Sequence, residues 1–406
     1  MTPGLGGRPR VPYSVGQVSA SPISAPSRSL QRNVGLDGVR GLAALGVFGF
    51  HIWLYGAKYT SPRLVADVFN EFRIGLICFF VLSGYLLYGA FVRAASRQDG
   101  EVSTTRYFAR RAARILPAYY VSLLGAIILL EGIASRPGVR LPPENGLPLF
   151  VFFAQNYSSH TIMSLNPVTW TLCLEVAFYA LLPVLGMFAY HLAKGRWRPQ
   201  AFLLLGMIGV GVVWNVLGRV LQWQQPANKA LPAYLPYFAA GMLLALLLEA
   251  RRQSGRPLRL STRATWMTTL GGVALVVGNS VWHVLSPGLK YDKLLVALRD
   301  IPAGVGFALL IAAVVAGQGM STGWLRARWL AALGVISYGF YLWHVPLIVF
   351  VRAMSPDKPG AFVLAAIVTP LALAAGTASW FLVERPLMKV VSSRLARPRA
   401  PAQAQA

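Results

Sequence analysis

The stretch from Leu36 to His51, LDGVRGLAALGVFGFH, decides how the rest of the chain is read. Apolar residues and glycines fill it apart from Asp37, Arg40 and His51, and the run continues to about residue 56. That is the length a helix needs to cross a hydrocarbon layer of about 30 Å. Arg40 and His51 are eleven residues apart. At about 100° per residue this makes three turns plus about 20°, so both side chains share one helix face. The rise between them is roughly 16 Å, about half the hydrocarbon thickness. With Arg40 near the cytoplasmic interface, His51 falls near mid-membrane. An ionisable side chain at that depth is costly and reads first as functional.

Similar runs recur along all 406 residues, of which 55% are hydrophobic and 13% charged. A soluble domain carries about 25% charged residues, so lipid explains the composition better than a large soluble core. The sequence predicts an all-α polytopic membrane bundle of about ten helices. They fall near 36–56, 74–94, 115–134, 168–192, 201–221, 232–250, 264–285, 297–317, 331–352 and 360–383. Residues 147–154 form an apolar patch too short to span, which suggests an interfacial or re-entrant piece.

The net charge of +25 first suggests nucleic acid, but the basic residues alternate with the spans. Most of the 38 Lys and Arg residues fall on one side, in the first 40 residues, the loops at 93–114, 194–198, 251–263 and 326–328, and the C-terminal stretch. This bias predicts both termini in the cytoplasm and a place in the cytoplasmic membrane, and it leaves no reason to invoke nucleic acid. Cys78 and Cys173 both sit in apolar segments, so neither a disulfide framework nor a bound metal is expected. Residues 1–33 show no apolar leader core and read as a disordered basic cytoplasmic tail. Residues 34–386 read as the membrane domain and 387–406 as a second basic tail.

Two more ionisable residues interrupt the apolar runs. Glu175 lies within the span at 168–192, and His344 lies in the outer half of the span at 331–352. Packing explanations exist for each: an interhelical hydrogen bond for His51 or Glu175, and an aromatic belt for His344. Three such groups on separate helices at compatible depths nevertheless predict a polar cavity. Before the third span, Arg106, Arg110, Arg111 and Arg114 gather on the cytoplasmic side. Guanidinium forks suit phosphates, and Arg110 and Arg114 are four residues apart, hence expected on one face. Attraction to anionic lipid is the plainer use of such a cluster.

These residues together resemble the acyltransferase-3 family of integral membrane O-acyltransferases. The Arg40 to His51 spacing matches that family's pattern. So do Phe79-Phe80-Val81-Leu82-Ser83-Gly84-Tyr85-Leu86, the Arg-rich entry to Ile115-Leu116-Pro117-Ala118-Tyr119-Tyr120, Trp170 to Tyr179, Ser337 to Pro346, and Val383-Glu384-Arg385-Pro386. The resemblance implies transfer of an acyl group, often acetyl, from a cytoplasmic acyl-CoA co-substrate to a hydroxyl, with no permanently bound cofactor. The expected acceptor is a glycan, a lipid-linked sugar or a secondary metabolite. Some members carry an extracytoplasmic hydrolase-like domain at the C-terminus, and transfer without one is expected here.

In the mechanism this suggests, the Arg110, Arg111, Arg114 and Arg40 guanidiniums hold the donor phosphates. His51 acts as general base, and Glu175 orients it or binds the acceptor. Ser83, Tyr119, Trp170 and His344 are candidate supporting or acceptor residues, and a covalent acyl group on Ser83 or His51 is a further route. The alternative is a transporter or flippase for a lipid-linked sugar, with the buried His and Glu as a proton relay. Such proteins commonly show an internal repeat, and none is visible in this sequence.

Overall fold

The computed structural model describes residues 1, 33–58, 61–98, 100–136, 138–286, 298–355 and 357–396. Residues 2–32 of the expected tail at 1–33 and residues 397–406 of the one at 387–406 lie outside these residues, while 387–396 belong to the last helix, Arg385–Ala396. The fold is carried by the unit that begins at Val34. Among the described residues every named element is helical, as the long apolar runs require in a solvent that cannot satisfy backbone polar groups.

Helix α1 spans Val34–Gly56. A short amphipathic helix α2, Arg63–Glu71, leads through a 3-10 turn into α3, Gly75–Arg97. Helix α4 covers Thr104–Glu131, so it begins well before the expected residue 115 and carries the whole arginine cluster. Ser103 caps it by accepting from the Arg106 amide. The patch at 147–154 is a single short helix, α5, Leu147–Val151, with Phe150 fully buried. Then come α6 Trp170–Met187, α7 Trp197–Val220, α8 Leu231–Gln253 and α9 Thr262–Leu285. The last elements are α10 Ile301–Ala316, α11 Arg328–Met354, α12 Ala361–Ala378 and α13 Arg385–Ala396.

Among the described residues nine helical segments are long and apolar enough to cross a membrane. The tenth expected crossing, 297–317, is α10, which has only 16 residues and falls short. Its start explains the difference. Pro302 sits in its first turn, where proline is tolerated, and the charged Arg299 and Asp300 precede it. Gly304, just inside α10, lies beside Ile77 near the start of α3. Gly75, at the head of α3, lies against Ala43 and Val47 in the middle of α1. Both α3 and α10 therefore begin level with the middle of α1.

Lipid tails are as apolar as leucine, so helix association here depends on close packing. Helices α1 and α11 show it: a Cβ on Gly41 would overlap the Leu330 carbonyl, and one on Gly334 would overlap the Asp37 carbonyl. Glycine at both places lets the two backbones touch. Helices α7 and α9 have only 17% of their apolar windows buried, against 61% for α8 and α11. The first pair faces lipid, and α1, α3, α6, α8 and α11 form the packed interior.

Candidate active site

The close packing of α1 on α11 brings His51 and His344 together. Nε2 of His344 lies 3.2 Å from Nδ1 of His51. Nδ1 of His344 is 2.7 Å from the Tyr341 carbonyl, and Nδ1 of His51 is 2.9 Å from the Val47 carbonyl. A carbonyl can only accept, so each Nδ1 carries a hydrogen. The single Nδ1 hydrogen of His51 is then shared between the Val47 carbonyl and the lone pair of His344 Nε2. For the neutral pair, this network leaves Nε2 of His51 unprotonated, with its lone pair free. An imidazole in that tautomer is ready to take a proton.

Apolar rings hold the pair in place. Phe340 stacks parallel to His344 at 6.2 Å, Phe48 meets it edge-on at 6.1 Å, and Phe50 meets His51 edge-on at 4.9 Å. His344 is 1% exposed, so it is not part of a water-facing aromatic belt. Tyr341 reaches across to α6, where its hydroxyl lies 2.9 Å from Thr171 Oγ1 and donates to the Val168 carbonyl at 3.1 Å. The α11 turn that carries His344 is thus tied to the start of α6.

On the same face of α1, about three turns back toward its start, lies the second half of the site. Arg40 interacts electrostatically with Asp37, Arg114, Glu175 and Tyr179. Glu175 accepts a hydrogen bond from Tyr179 at 2.9 Å and feels Arg40, Arg111 and Arg114. Nε of Arg40 is buried and, among the described residues, donates to nothing. The spacing on α4 selects which arginines take part. Its inner face is Ile115, Ala118, Tyr119 and Ser122, and the same face runs back through Arg114 and Arg111. Arg110 falls on the exposed side instead, although its four-residue spacing from Arg114 predicts that the two lie together.

Glu384 belongs to this cluster as well. The sequence shows it only as part of a terminal motif. A π-helical stretch, Ser379–Glu384, turns it inward, where it is 1% exposed, accepts from Ser379 Oγ at 3.0 Å and feels Arg114. Tyr338 completes the wall, donating to the Ile115 carbonyl at 3.0 Å near Glu175 and Glu384. The wide turn explains why helical periodicity alone does not place Glu384 inside.

No hydrogen bond or ring contact among the described residues joins the remaining candidates to the histidine pair. Among the described residues Ser83 Oγ makes no hydrogen bond to either histidine. Tyr119 is fully buried and donates to the Phe150 carbonyl at 2.7 Å, which pins the short α5 to α4. Trp170 packs under the Lys229 ammonium at 4.7 Å.

A further polar cluster gives no signal in the sequence. Arg73 grips Asp300 through two hydrogen bonds of 2.8 and 3.1 Å, and Arg299 donates to Glu71 at 2.8 Å. His283 Nδ1 adds a contact of 3.0 Å to Glu71. Glu71, His283 and Asp300 offer ligand atoms within 4.8 Å of one another. Both carboxylates already hold a guanidinium, so the charges balance without a cation. This arrangement ties α2, the 3-10 turn that leads into α3, α9 and the head of α10 together.

The acyltransferase-domain family pattern matches residues 33–383. The chain belongs to the acyltransferase-3 family. It is 23% identical over 336 residues to the O-acetyltransferase OatA of Staphylococcus aureus, covering 79% of this chain and 51% of that protein. It is 27% identical over 333 residues to the putative peptidoglycan O-acetyltransferase YrhL of Bacillus subtilis, covering 78% and 48% respectively. Against the acyltransferase MdmB of Streptomyces mycarofaciens it is 27% identical over 393 residues, covering 90% and 94%. The chain therefore spans about half the length of OatA and YrhL and nearly all of MdmB. No solved structure matches it.

Proposed function

We propose that this chain is a membrane O-acyltransferase that moves an acyl group, acetyl in the first instance, from a cytoplasmic acyl-CoA to an acceptor hydroxyl. The observation that carries the reading is the His51–His344 pair, whose hydrogen bonds leave one imidazole lone pair unspent on the face of α1 that also carries Arg40. Family membership and the names of the relatives support the reaction class.

The basic residues of the loops support an orientation with both termini in the cytoplasm and the Arg40 end of the bundle facing inward. Arg111 and Arg114 then meet the donor phosphates, and the unpaired Nε–H of Arg40 supplies a donor to an oxygen of the same molecule. His51 Nε2 takes the proton of the acceptor hydroxyl as its oxygen attacks the thioester carbonyl. The carbon–sulfur bond then breaks, and the thiolate leaves with the proton returned by His51. General base catalysis of this kind contributes about 10²–10⁴-fold. His344 acts through His51, holding its tautomer, and is a positioning residue. The acceptor is a glycan or lipid-linked sugar of the envelope, or a small metabolite; of the relatives, YrhL is named a putative peptidoglycan O-acetyltransferase, which supports the glycan.

The test is acetyl-CoA turnover by the purified chain in lipid, combined with a mass comparison of envelope glycans and metabolites from cells with and without it. Thioester turnover and one acyl group of mass difference are expected. Lipid-linked sugar movement without thioester cleavage would instead identify a flippase.

A further inference from the structure

Helix α11 carries Pro346 in its interior, four residues after Leu342. Proline has no N–H, and its ring crowds the carbonyl four residues earlier. The Leu342 carbonyl therefore lacks its ordinary helical partner, in the very turn that carries His344. A backbone carbonyl orphaned inside a bundle is costly, so a donor has to come from elsewhere. It comes from 176 residues away: Nδ2 of Asn166 donates to the Leu342 carbonyl at 2.8 Å, with both groups buried. A carbonyl only accepts, so the orientation of the Asn166 amide is settled.

Asn166 stands just before the 3-10 turn Pro167–Thr169 that opens α6, and its backbone is held firmly. The Thr169 amide and hydroxyl both donate to the Asn166 carbonyl, at 3.0 and 2.7 Å. Gln155, fully buried, donates in turn to the Thr169 carbonyl and hydroxyl, each at 3.2 Å. On the other side Leu165 has a φ of 56°, the left-handed region, which a leucine enters only where its surroundings impose it. It is buried, and its amide donates to the Arg140 carbonyl at 2.6 Å. The chain accepts this local strain, and the result is an Asn166 aimed at α11. Two residues further on, the Val168 carbonyl accepts from the Tyr341 hydroxyl. The segment thus grips α11 at Tyr341 and Leu342, immediately before His344. A simple loop anchor could use any polar group, but this one takes the carbonyl that Pro346 leaves open.

We infer that Asn166 is a positioning residue for the histidine pair, holding the α11 turn opened by Pro346 so that His344 Nε2 reaches His51 Nδ1. Pro346 makes the gap and Asn166 fills it, so the two act as one device. The contact of 3.2 Å between the imidazoles depends on where that turn sits, and with it the tautomer of His51. The kinetic consequence rests on the proposed role of His51. The geometric one does not, so the two readings fail separately.

The experiment is ¹⁵N NMR of the full chain labelled at histidine, in lipid nanodiscs without substrate, run beside acetyl-CoA turnover. His51→Ala and His344→Gln assign the two imidazoles among the five histidines. Asn166→Ala, shown by a thermal melt to be folded, should shift the imidazole nitrogens of both His51 and His344 and leave those of His191 and His283 in place. It should lower kcat by about tenfold with the KM for acetyl-CoA near the parent's. Pro346→Ala gives the Leu342 carbonyl a backbone N–H again. Adding Asn166→Ala to Pro346→Ala should therefore leave the spectrum and rate of Pro346→Ala as they are. This second comparison decides the matter even where Asn166→Ala alone does not fold. Two results would overturn the inference: parent-like His51 and His344 signals in folded Asn166→Ala, or the same change on adding Asn166→Ala to Pro346→Ala as to the parent. A parent that fails to turn over acetyl-CoA would end the proposed function, and the spectra would still decide the role of Asn166.

Discussion

The bundle holds two polar clusters at comparable depth, and they are built in opposite ways. Around Glu71, Arg73, Arg299 and Asp300 every charge has its counter-charge, and the distances are those of good hydrogen bonds. Around His51 and Arg40 the bonding is incomplete: one imidazole nitrogen is unspent, and a buried guanidinium N–H has no acceptor among the described residues. Desolvated polar groups are expensive, so a lipid-embedded chain satisfies them wherever it only needs to stand. The saturated cluster behaves as a clamp, and under the proposed function the unsaturated one is where a substrate completes the bonding.

The sharpest way to break this contrast is His51→Ala. It should lower acyl transfer by about 10²–10⁴-fold while insertion and thermal stability stay near the parent's, measured by thioester turnover and unfolding in detergent. The converse is Asp300→Ala, which leaves Arg73 without its partner. Unfolding measurements should show a loss of about 2–3 kcal/mol, less than for a fully buried pair because Arg73 keeps 25% of its side chain exposed. Turnover per folded molecule should hardly change.

A smaller effect separates positioning from chemistry. His344→Leu should reduce kcat by about tenfold or more with little change in KM, and His344→Gln, whose amide oxygen can still accept from His51, should recover part of it. Smallest of all is the contrast along α4. Arg111→Ala should raise the KM for acyl-CoA several-fold, and Arg110→Ala should leave it unchanged, because only the first is turned toward Arg114 and Glu175 while Arg110 is exposed.

Much of the site is legible in the amino-acid sequence. Arg40, His51, Glu175 and His344 stand out because a charge or imidazole in an apolar helix is rare. Helical geometry alone puts the first two on one face. Partnership is what the sequence hides. His51 and His344 are 293 residues apart, and only the glycine contacts between α1 and α11 bring them together. Arg110 and Arg114 do share a helical spacing, but spacing does not say which face is inward, and the buried residues after Ile115 select Arg111 instead. Glu384 is hidden by its π-helical turn. Glu71 and Arg73 sit just before the expected span at 74–94, and Asp300 sits at the head of the one at 297–317. Charges look ordinary at such edges, because nothing in the apolar pattern shows that α3 and α10 begin level with the middle of α1.

The central claim is that His51 turns over a thioester. The most direct measurement is release of free CoA from acetyl-CoA by the purified chain in proteoliposomes, run beside His51→Ala and Arg110→Ala. The parent and Arg110→Ala should release CoA at similar rates, with His51→Ala reduced to background. Release by folded His51→Ala at the parent's rate would contradict the account.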